Sequence, residues 1–245
     1  MDRTGTGATA GHLHRCLVLH RREFANTSLL VEVLSPTHGR FPAIAKGARR
    51  GRAPLAGLLQ PFQPLWLGWS GRGEVRTLGR VEAAGRAFAL DGDHLYCGFY
   101  LNELLMRVLA RDDPHEDLFG HYLTALHDLA DRHPIDAVLR PFELRLLRIL
   151  GYGLVLDREA DTGRPVQGAQ RYRYQPQQGI VAVGVTDGCP FDSLSGETLL
   201  QLAADRPPAG DAQIREARRL LRAALAPHLG TRPLMSRELF RGRRS

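Results

Sequence analysis

The residues that could do chemistry are ten histidines, three cysteines and an excess of arginine. Four histidines recur every six residues, a step of about 600° on a helix, so successive members lie about 120° apart and share no face; these are His115, His121, His127 and His133. The chain has no HExxH, GxxxxGK[ST] or GxSxG sequence, and its acid pairs flank a helix start, where the helix dipole accounts for them. No nucleophile, base and oxyanion site assembles, and we predict that the protein is not an enzyme.

The cysteines and the apolar runs bear on metal binding and compartment. Cys16, Cys97 and Cys189 lie far apart and form no CxxC pair, which argues against a zinc ribbon and for a reducing compartment. Residues 1–11 lack the apolar centre of a secretory signal, and no run approaches the ~20 apolar residues of a membrane span. We therefore expect a cytoplasmic protein with no metal, no cofactor and no membrane partner.

Charge is unevenly distributed along the 245 residues. Lysine and arginine total 33 against 26 acids, and every basic residue except Lys46 is an arginine. Residues 1–85 carry a net charge of +7, residues 86–200 carry −6, and residues 201–245 carry +6. A GC-rich genome would explain the arginine content but not this distribution. A basic head and tail around an acidic middle indicate a polyanion that contacts both ends.

The first 85 residues read as β-structure. Short apolar runs broken by turn residues predict five strands, at 15–21, 28–35, 39–46, 62–69 and 74–82. Five short strands in about 70 residues suit a small barrel better than a sandwich. The glycine-rich, basic stretch 47–54 has no hydrophobic period and predicts a mobile loop.

The remainder reads as mainly helical. Apolar residues at helical spacing predict helices at about 101–109, 118–129, 134–150 and 211–228, and residues 171–183 predict a hairpin. Pro141 must kink the third helix or restart it, and the pattern leaves both possibilities open. The prediction is an α+β protein with a barrel at 1–85, a helical domain at 86–155 and 190–245, and a small hairpin lobe at 156–189.

Two sets of cations are candidates for binding a phosphate backbone. The barrel set is Arg40, Lys46, Arg49, Arg50, Arg52, Arg72 and Arg76, and the set on the last helix is Arg215, Arg218, Arg219 and Arg222. The alternatives are a solvated basic loop for the first set and a solvated helix face paired with acids for the second. Trp66 and Trp69 could stack on bases, although tryptophans in an apolar strand more often lie in the core.

Short motifs follow one another in order from about residue 13 to 241. They include LVLHR at 17–21, AKGAR at 45–49, LLQPFQPL at 58–65, GRGEV at 71–75, YLNELL at 100–105, LGYG at 150–153, RPL at 232–234 and SREL at 236–239. By these motifs nearly the whole chain resembles the RecO family of bacterial recombination mediators.

This resemblance implies an N-terminal OB-fold, a helical domain and a small lobe that binds zinc through four cysteines in many members. Here residues 156–161 lack the first cysteine pair, and Cys189 stands alone. Because zinc needs about four nitrogen or sulfur ligands, we expect a metal-free lobe. Met235 stands where the family commonly has a lysine, which removes one charge.

The resemblance also implies mediation without catalysis, by a protein associated with the nucleoid. Members bind single- and double-stranded DNA, anneal complementary strands, dock on the acidic C-terminal tail of single-stranded DNA-binding protein (SSB) and, with RecR, help load RecA. An acidic peptide with an apolar end needs a hydrophobic pocket beside an arginine, for which Arg140 and Phe142 are the candidates. The alternative is that Arg140 pairs with Glu143 or Asp136. The competing functions are an OB-fold RNA-binding module, which does not explain the C-terminal motif, and a nuclease, for which a carboxylate cluster is missing.

Overall fold

The structure, a computed structural model, describes residues 12–50, 55–71, 73–184 and 191–236. They belong to two compact units, the first within Met1–Ala130 and Leu234–Ser245 and the second within Asp131–Pro233. The first unit therefore contains the barrel with two helices and takes back a segment from near the end of the chain. The three-part division expected from sequence remains a prediction, since these units group the two helices with the barrel. No helix among the described residues is both long and apolar enough to cross a membrane.

Five strands form a closed barrel in the first unit, which confirms the predicted fold. They are β1 (His14–Phe24), β2 (Ser28–Ser35), β3 (Gly39–Ala45), β4 (Leu65–Ser70) and β5 (Arg76–Ala83). The order is β1-β2-β3-β5-β4, with β4 returning to β1, and every neighbouring pair is antiparallel except β3 with β5. Inward residues from all five strands, such as Val18, Val31, Phe41, Leu67 and Leu78, fill the interior. Closure leaves no unpaired edge strand.

Gly39 fixes the entry to β3. Its φ is +65°, and an added Cβ would lie 2.3 Å from the carbonyl oxygen of Asp113. A side chain there is excluded both by the left-handed backbone and by the chain that passes over it. The same crossing is held by the backbone N–H of Asp112, which donates to the carbonyl of Arg40 over 2.9 Å. The linker after the first helix is thereby fastened to the barrel.

Two helices complete the first unit: α1 (Gly92–Val108) and α2 (Glu116–Ala130). Their periodic leucines, including Leu101, Leu105 and Leu126, are fully buried. Asn102 of α1 donates to the carbonyl of Leu19 on β1 over 2.8 Å and accepts a hydrogen bond from the Tyr122 hydroxyl of α2. All three groups are buried, so this bridge satisfies polar atoms that would otherwise destabilise the fold.

The second unit combines helices with a small sheet. Its elements are α3 (Ile135–Ile149), β6 (Arg171–Gln175), β7 (Gly179–Ala182), β8 (Leu194–Ser195), α4 (Gly196–Ala203) and α5 (Asp211–Leu225), with the sheet order β7-β6-β8. The helix α3 continues through Pro141 and does not restart there, because residues on both sides, Val138 and Leu146 among them, are buried on one face. Sequence periodicity missed β8 and α4, which have only two and eight residues.

Candidate nucleic-acid interface

The barrel cations that sequence groups together have different environments. Arg40 is mostly buried: its guanidinium pairs with Glu32 over 3.0 Å and donates twice to the carbonyl of Leu109, at 2.9 and 3.3 Å. It holds the linker after α1 against β3. These contacts give Arg40 a part in the fold whether or not it also contacts a ligand.

Arg49 clasps the turn between β1 and β2. It pairs with Glu23 over 2.6 Å and donates to the carbonyls of Ala25 and Asn26 at 3.2 and 2.7 Å. Its side chain is half-buried, and its three partners hold it in one position. These contacts therefore fasten the start of the loop after β3 to the turn between β1 and β2.

Arg76 lies across an aromatic surface at one end of the barrel. Its guanidinium carbon is 3.8 Å from the centre of the Phe41 ring and 5.5 Å from that of Trp69, and the group also pairs with Asp112. The side chain is only 14% exposed. A cation held this way is stabilised by the ring faces as well as by the carboxylate.

Lys46 and Arg50 are the barrel candidates whose side chains are exposed. Neither forms an ion pair with any residue that the structure describes. Arg52 and Arg72, predicted with them, lie outside the described residues. Of the seven barrel candidates, Lys46 and Arg50 are thus the cations presented to solvent in the described part of the loop.

Two histidines lie beside Arg76 and make this end of the barrel aromatic. The ring centres of His14 and His38 are 4.4 Å apart, and each is within 5.0 Å of the Trp69 ring. Burial lowers the pKa of His14, and His12 lowers it further. Burial also lowers the pKa of His38, with smaller contributions from His14 and Arg76 that outweigh the opposite effect of Asp112. Both imidazoles are therefore neutral at pH 7.

Three arginines on α5 are exposed, Arg215, Arg218 and Arg222, and a fourth, Arg219, is partly buried. Arg218 forms two hydrogen bonds to Asp136, at 2.7 and 2.5 Å, and Arg219 donates to the carbonyl of Ser193 over 2.9 Å. Arg219 also lies 5.6 Å from the Phe191 ring. The acid pairing that was the alternative to DNA contact is thus present for Arg218.

Arg140 and Phe142, the candidates for an SSB tail, are both buried on α3. The Arg140 guanidinium lies 2.9 Å from Glu143 and 3.6 Å from Asp136. The pairing considered as the alternative is therefore observed. An open pocket of about 300 Å³ with both charged and apolar side chains lies elsewhere in the same unit, lined by Arg148, Asp157, Leu144, Leu154, Val155, Leu156, Leu202 and Ala203.

The two tryptophans of β4 point in opposite directions. Trp69 is 6% exposed and belongs to the barrel core, whereas Trp66 is 41% exposed on the outer surface. The expectation that both fill the core is therefore wrong for Trp66. The signal was present, because two strand residues three positions apart lie on opposite faces.

The described residues offer few side chains for metal binding or for thiol chemistry. No cluster of three or more histidine, cysteine or acidic side chains suited to a metal is found there. Cys16 and Cys97 are buried, and burial raises the pKa of the Cys16 thiol to about 12. A thiol of that kind is not nucleophilic at neutral pH. Cys189 lies outside the described residues.

Comparison with known proteins identifies the family of this chain. A model described as Recombination protein O N terminal matches residues 12–86, and one described as Recombination protein O C terminal matches residues 89–238. The chain belongs to the RecO family. It is 46% identical over 229 residues to the DNA repair protein RecO of Methylococcus capsulatus, covering 94% of this chain and 93% of that one.

Other RecO proteins are similar over the same extent. The DNA repair protein RecO of Photobacterium profundum is 44% identical over 228 residues, which cover 93% of this chain and 95% of that protein. That of Nitrosococcus oceani is 46% identical over 228 residues, which cover 93% and 92%. The boundary between the two RecO models, at residues 86–89, falls just after β5 and before α1.

Proposed function

We propose that the protein is a recombination mediator in DNA repair that binds single- and double-stranded DNA without sequence specificity and anneals complementary strands. The single observation that carries this proposal is the match of both RecO models to a chain whose N-terminal unit is a closed five-stranded barrel. Exposed Lys46 and Arg50 beside that barrel supply the phosphate contacts. Annealing requires neutralised phosphates and no nucleotide hydrolysis, which agrees with a sequence without a P-loop and with a role other than that of an enzyme.

The partners in this proposal are the SSB C-terminal tail and RecR, and RecA is loaded as a result. The tail docks in the second unit. Arg140 is already paired, so its part there is to position α3. The pocket beside Arg148 is open and places a cation next to leucine and valine side chains, the combination that an acidic peptide with an apolar end requires. Arg148 lies 3.2 Å from Asp205, an exposed pair that a competing carboxylate can replace at little cost.

The test of mediation is annealing of complementary oligonucleotides coated with the cognate SSB, in EDTA and without ATP. We expect annealing with intact SSB and little with SSB that lacks its tail. Tight DNA binding without annealing would contradict mediation, and a preference for structured RNA would favour the OB-fold RNA-binding alternative.

The tail site is tested with a fluorescent peptide of the SSB tail sequence. Arg148→Ala should weaken its binding about tenfold, the loss expected for one charge-assisted contact, whereas Arg206→Ala, an exposed cation in the same unit, should leave it unchanged. If Arg140→Ala weakens binding and Arg148→Ala does not, the site is at Arg140 and Phe142 instead.

Phosphate contact by the barrel is tested through salt dependence. In the double variant Lys46→Gln/Arg50→Gln, the magnitude of the slope of log K against log salt should fall by about 1.4 for single-stranded DNA, since each lost contact removes about 0.7. Arg158→Gln, an exposed arginine of the second unit, is the control. An unchanged slope would move the site towards Arg215 and Arg222.

A further inference from the structure

The outer face of β1, β4 and β5 carries a large aromatic ring in the middle of a row of charged residues. Trp66 on β4 pairs in register with Arg15 on β1 and with Glu82 on β5. Its neighbours along the strand, Leu65 and Leu67, are fully buried in the core. The indole is therefore presented to solvent by a strand that is paired on both sides.

This position is unusual for a tryptophan that has only a structural role. Ser70, the other exposed residue of β4, is polar, as outward positions of a strand normally are. An indole left 41% exposed keeps much apolar area in water that an inward ring would bury. The closed barrel already holds the backbone of β4 in place. Stacking of a planar ligand on Trp66 would therefore cost little conformational entropy of the protein.

The next outward position along β4 is Gly68, which adds no side chain to this surface. An added Cβ there would lie 3.4 Å from Leu13 and 3.8 Å from the Cβ of Arg80. Arg80 on β5 is thus next to Gly68, on the same outer face as Trp66. Gly68 is itself buried, with the Leu13 side chain and the His12 carbonyl close to it, so the apolar Leu13 side chain adjoins this position.

Cations lie on both strands that flank the ring. Arg15 is exposed and forms no ion pair with the described residues, and Arg80 is 68% exposed. Arg80 pairs with Glu82 over 2.5 Å, and because both side chains are exposed, a phosphate can replace this carboxylate at little cost. A ring with one unpaired cation on β1 and one exchangeable cation on β5 matches a nucleobase followed by its phosphates.

We propose that Trp66 is a stacking platform for a base of single-stranded DNA, with Arg15 and Arg80 contacting the neighbouring phosphates. This inference rests on the proposed function, since it assumes that the chain binds DNA. Stacking accepts any base, because every base has a π-face, and it is denied to a duplex whose bases are already stacked. The site therefore gives the protein a preference for unpaired strands that the loop cations Lys46 and Arg50 alone do not supply.

The experiment uses the whole 245-residue chain, in which the two tryptophans are Trp66 and Trp69. Titration with an oligo(dT) strand should quench the tryptophan fluorescence of the wild type, and the quenching should be absent in Trp66→Phe, in which buried Trp69 is the remaining emitter. Trp66→Ala should weaken binding of the strand about 5- to 150-fold, the range for one stacked base, with duplex affinity changed less than twofold.

The matched control is Phe24→Ala, which removes another exposed aromatic side chain of the barrel, 42% exposed at the end of β1. It should leave single-strand affinity within twofold. Undiminished affinity in Trp66→Ala, with no quenching in the wild type, would overturn the stacking site and leave DNA binding intact; the indole would then belong to a protein surface. Absence of DNA binding by the wild type would overturn the proposed function and this inference together.

Discussion

Each of the two units contains a glutamate whose carboxylate accepts several hydrogen bonds from other segments of the chain, but the surroundings of the two glutamates differ. Glu103 of α1 accepts hydrogen bonds from the backbone N–H groups of Met235 and Ser236, at 3.0 and 2.9 Å, and from the Ser236 hydroxyl at 2.7 Å. Arg107, one turn further along α1, pairs with it over 3.2 Å. This carboxylate fastens a segment near the end of the chain to the first unit.

Glu216 of α5 collects a similar set of donors in the second unit. It accepts from the backbone N–H and hydroxyl of Ser195 and from the Thr198 hydroxyl, at 2.9, 2.7 and 2.6 Å, while Arg171 of β6 pairs with it over 2.8 Å. Ser195 is the N-cap of α4, and the Thr198 backbone N–H donates to its hydroxyl. One carboxylate thus joins β6, β8, α4 and α5.

The two glutamates differ in which part of the structure is released when their hydrogen bonds are broken. Glu103 holds a segment that follows every other element, and the barrel beneath has its own closed hydrogen-bond ladder and apolar core. Glu216 lies inside a unit whose sheet has three short strands, one of them of two residues. A small sheet with little apolar area depends more on such a polar centre.

The largest effect should come from Glu216→Ala. It removes the acceptor shared by Arg171 and the hydroxyls of Ser195 and Thr198, and Arg171 keeps only its bonds to Ser193. We therefore expect a loss of about 3 kcal/mol in the free energy of unfolding of the second unit. Hydrogen exchange should show lost protection in β6, β8 and α4 while the barrel amides stay protected. Glu197→Ala, which removes an exposed acid of α4, should cost less than about 1 kcal/mol. Equal loss of protection in the barrel would contradict a local role.

The second effect is that of Glu103→Ala. We expect a loss of about 1–2 kcal/mol, confined to release of the segment at 234–236, because the barrel and helices keep their own contacts. Limited proteolysis near residue 235 should become faster while the midpoint of global unfolding changes little. Glu116→Ala, an exposed acid of α2, should leave the proteolysis rate unchanged. A fall in global stability as large as that of Glu216→Ala would remove the distinction between the two glutamates.

The third effect is a pH dependence that both carboxylates share. Burial would raise the pKa of Glu103, but bonds from Ser236 and Met235 together with Arg107 hold it below 4.5. Burial likewise opposes the bonds from Thr198, Ser195 and Arg171 that hold the pKa of Glu216 below 4.5. The stabilisation is therefore complete above pH 4.5 and is lost as pH falls through the lowered values. Glu216→Gln and Glu103→Gln should each flatten the loss of stability, measured by urea unfolding between pH 6 and 3.

The smallest effect belongs to the first unit alone, through His14 and His38. Their pKa values are lowered below 6.5, so below that pH the unfolded chain binds protons that the folded barrel does not. Barrel stability should therefore begin to fall as pH drops below 6.5, before the glutamates titrate. The double variant His14→Gln/His38→Gln should remove this decline, as seen in urea midpoints at pH 7.5 and 5.5. A decline that persists in the variant would assign it to other groups.

The motifs that carry the family resemblance turn out to be largely structural. In the stretch YLNELL, Asn102 bridges α1 to β1 and α2, and Glu103 holds Ser236, the first residue of the motif SREL. These two motifs are separated by more than 130 positions in the chain. The sequence shows that both are present, but their contact exists only in the folded unit.

Sequence alone determined the closed barrel, the principal helices and the placement of positive charge near the ends of the chain. Alternation, turn residues and helical spacing are local properties, and strand faces follow directly from them. Short elements such as β8 and α4 could not be predicted in this way, because two or eight residues carry too little periodicity. The opposite faces of Trp66 and Trp69 could have been predicted from strand alternation.

Tertiary structure decided which charged groups remain available to a ligand. Arg40, Arg49, Arg76, Arg140 and Arg218 look like binding residues in sequence, yet each has an acidic partner, at Glu32, Glu23, Asp112, Glu143 and Asp136. The physical reason is that a guanidinium pairs with whichever carboxylate the fold brings within about 4 Å. Such a pair is hard to displace where it is mostly buried, as at Arg40, Arg76 and Arg140, and weak where it is exposed, as at Arg218. For Arg76 and Arg218 that carboxylate is 36 and 82 positions away in the chain, a distance that no sequence period spans.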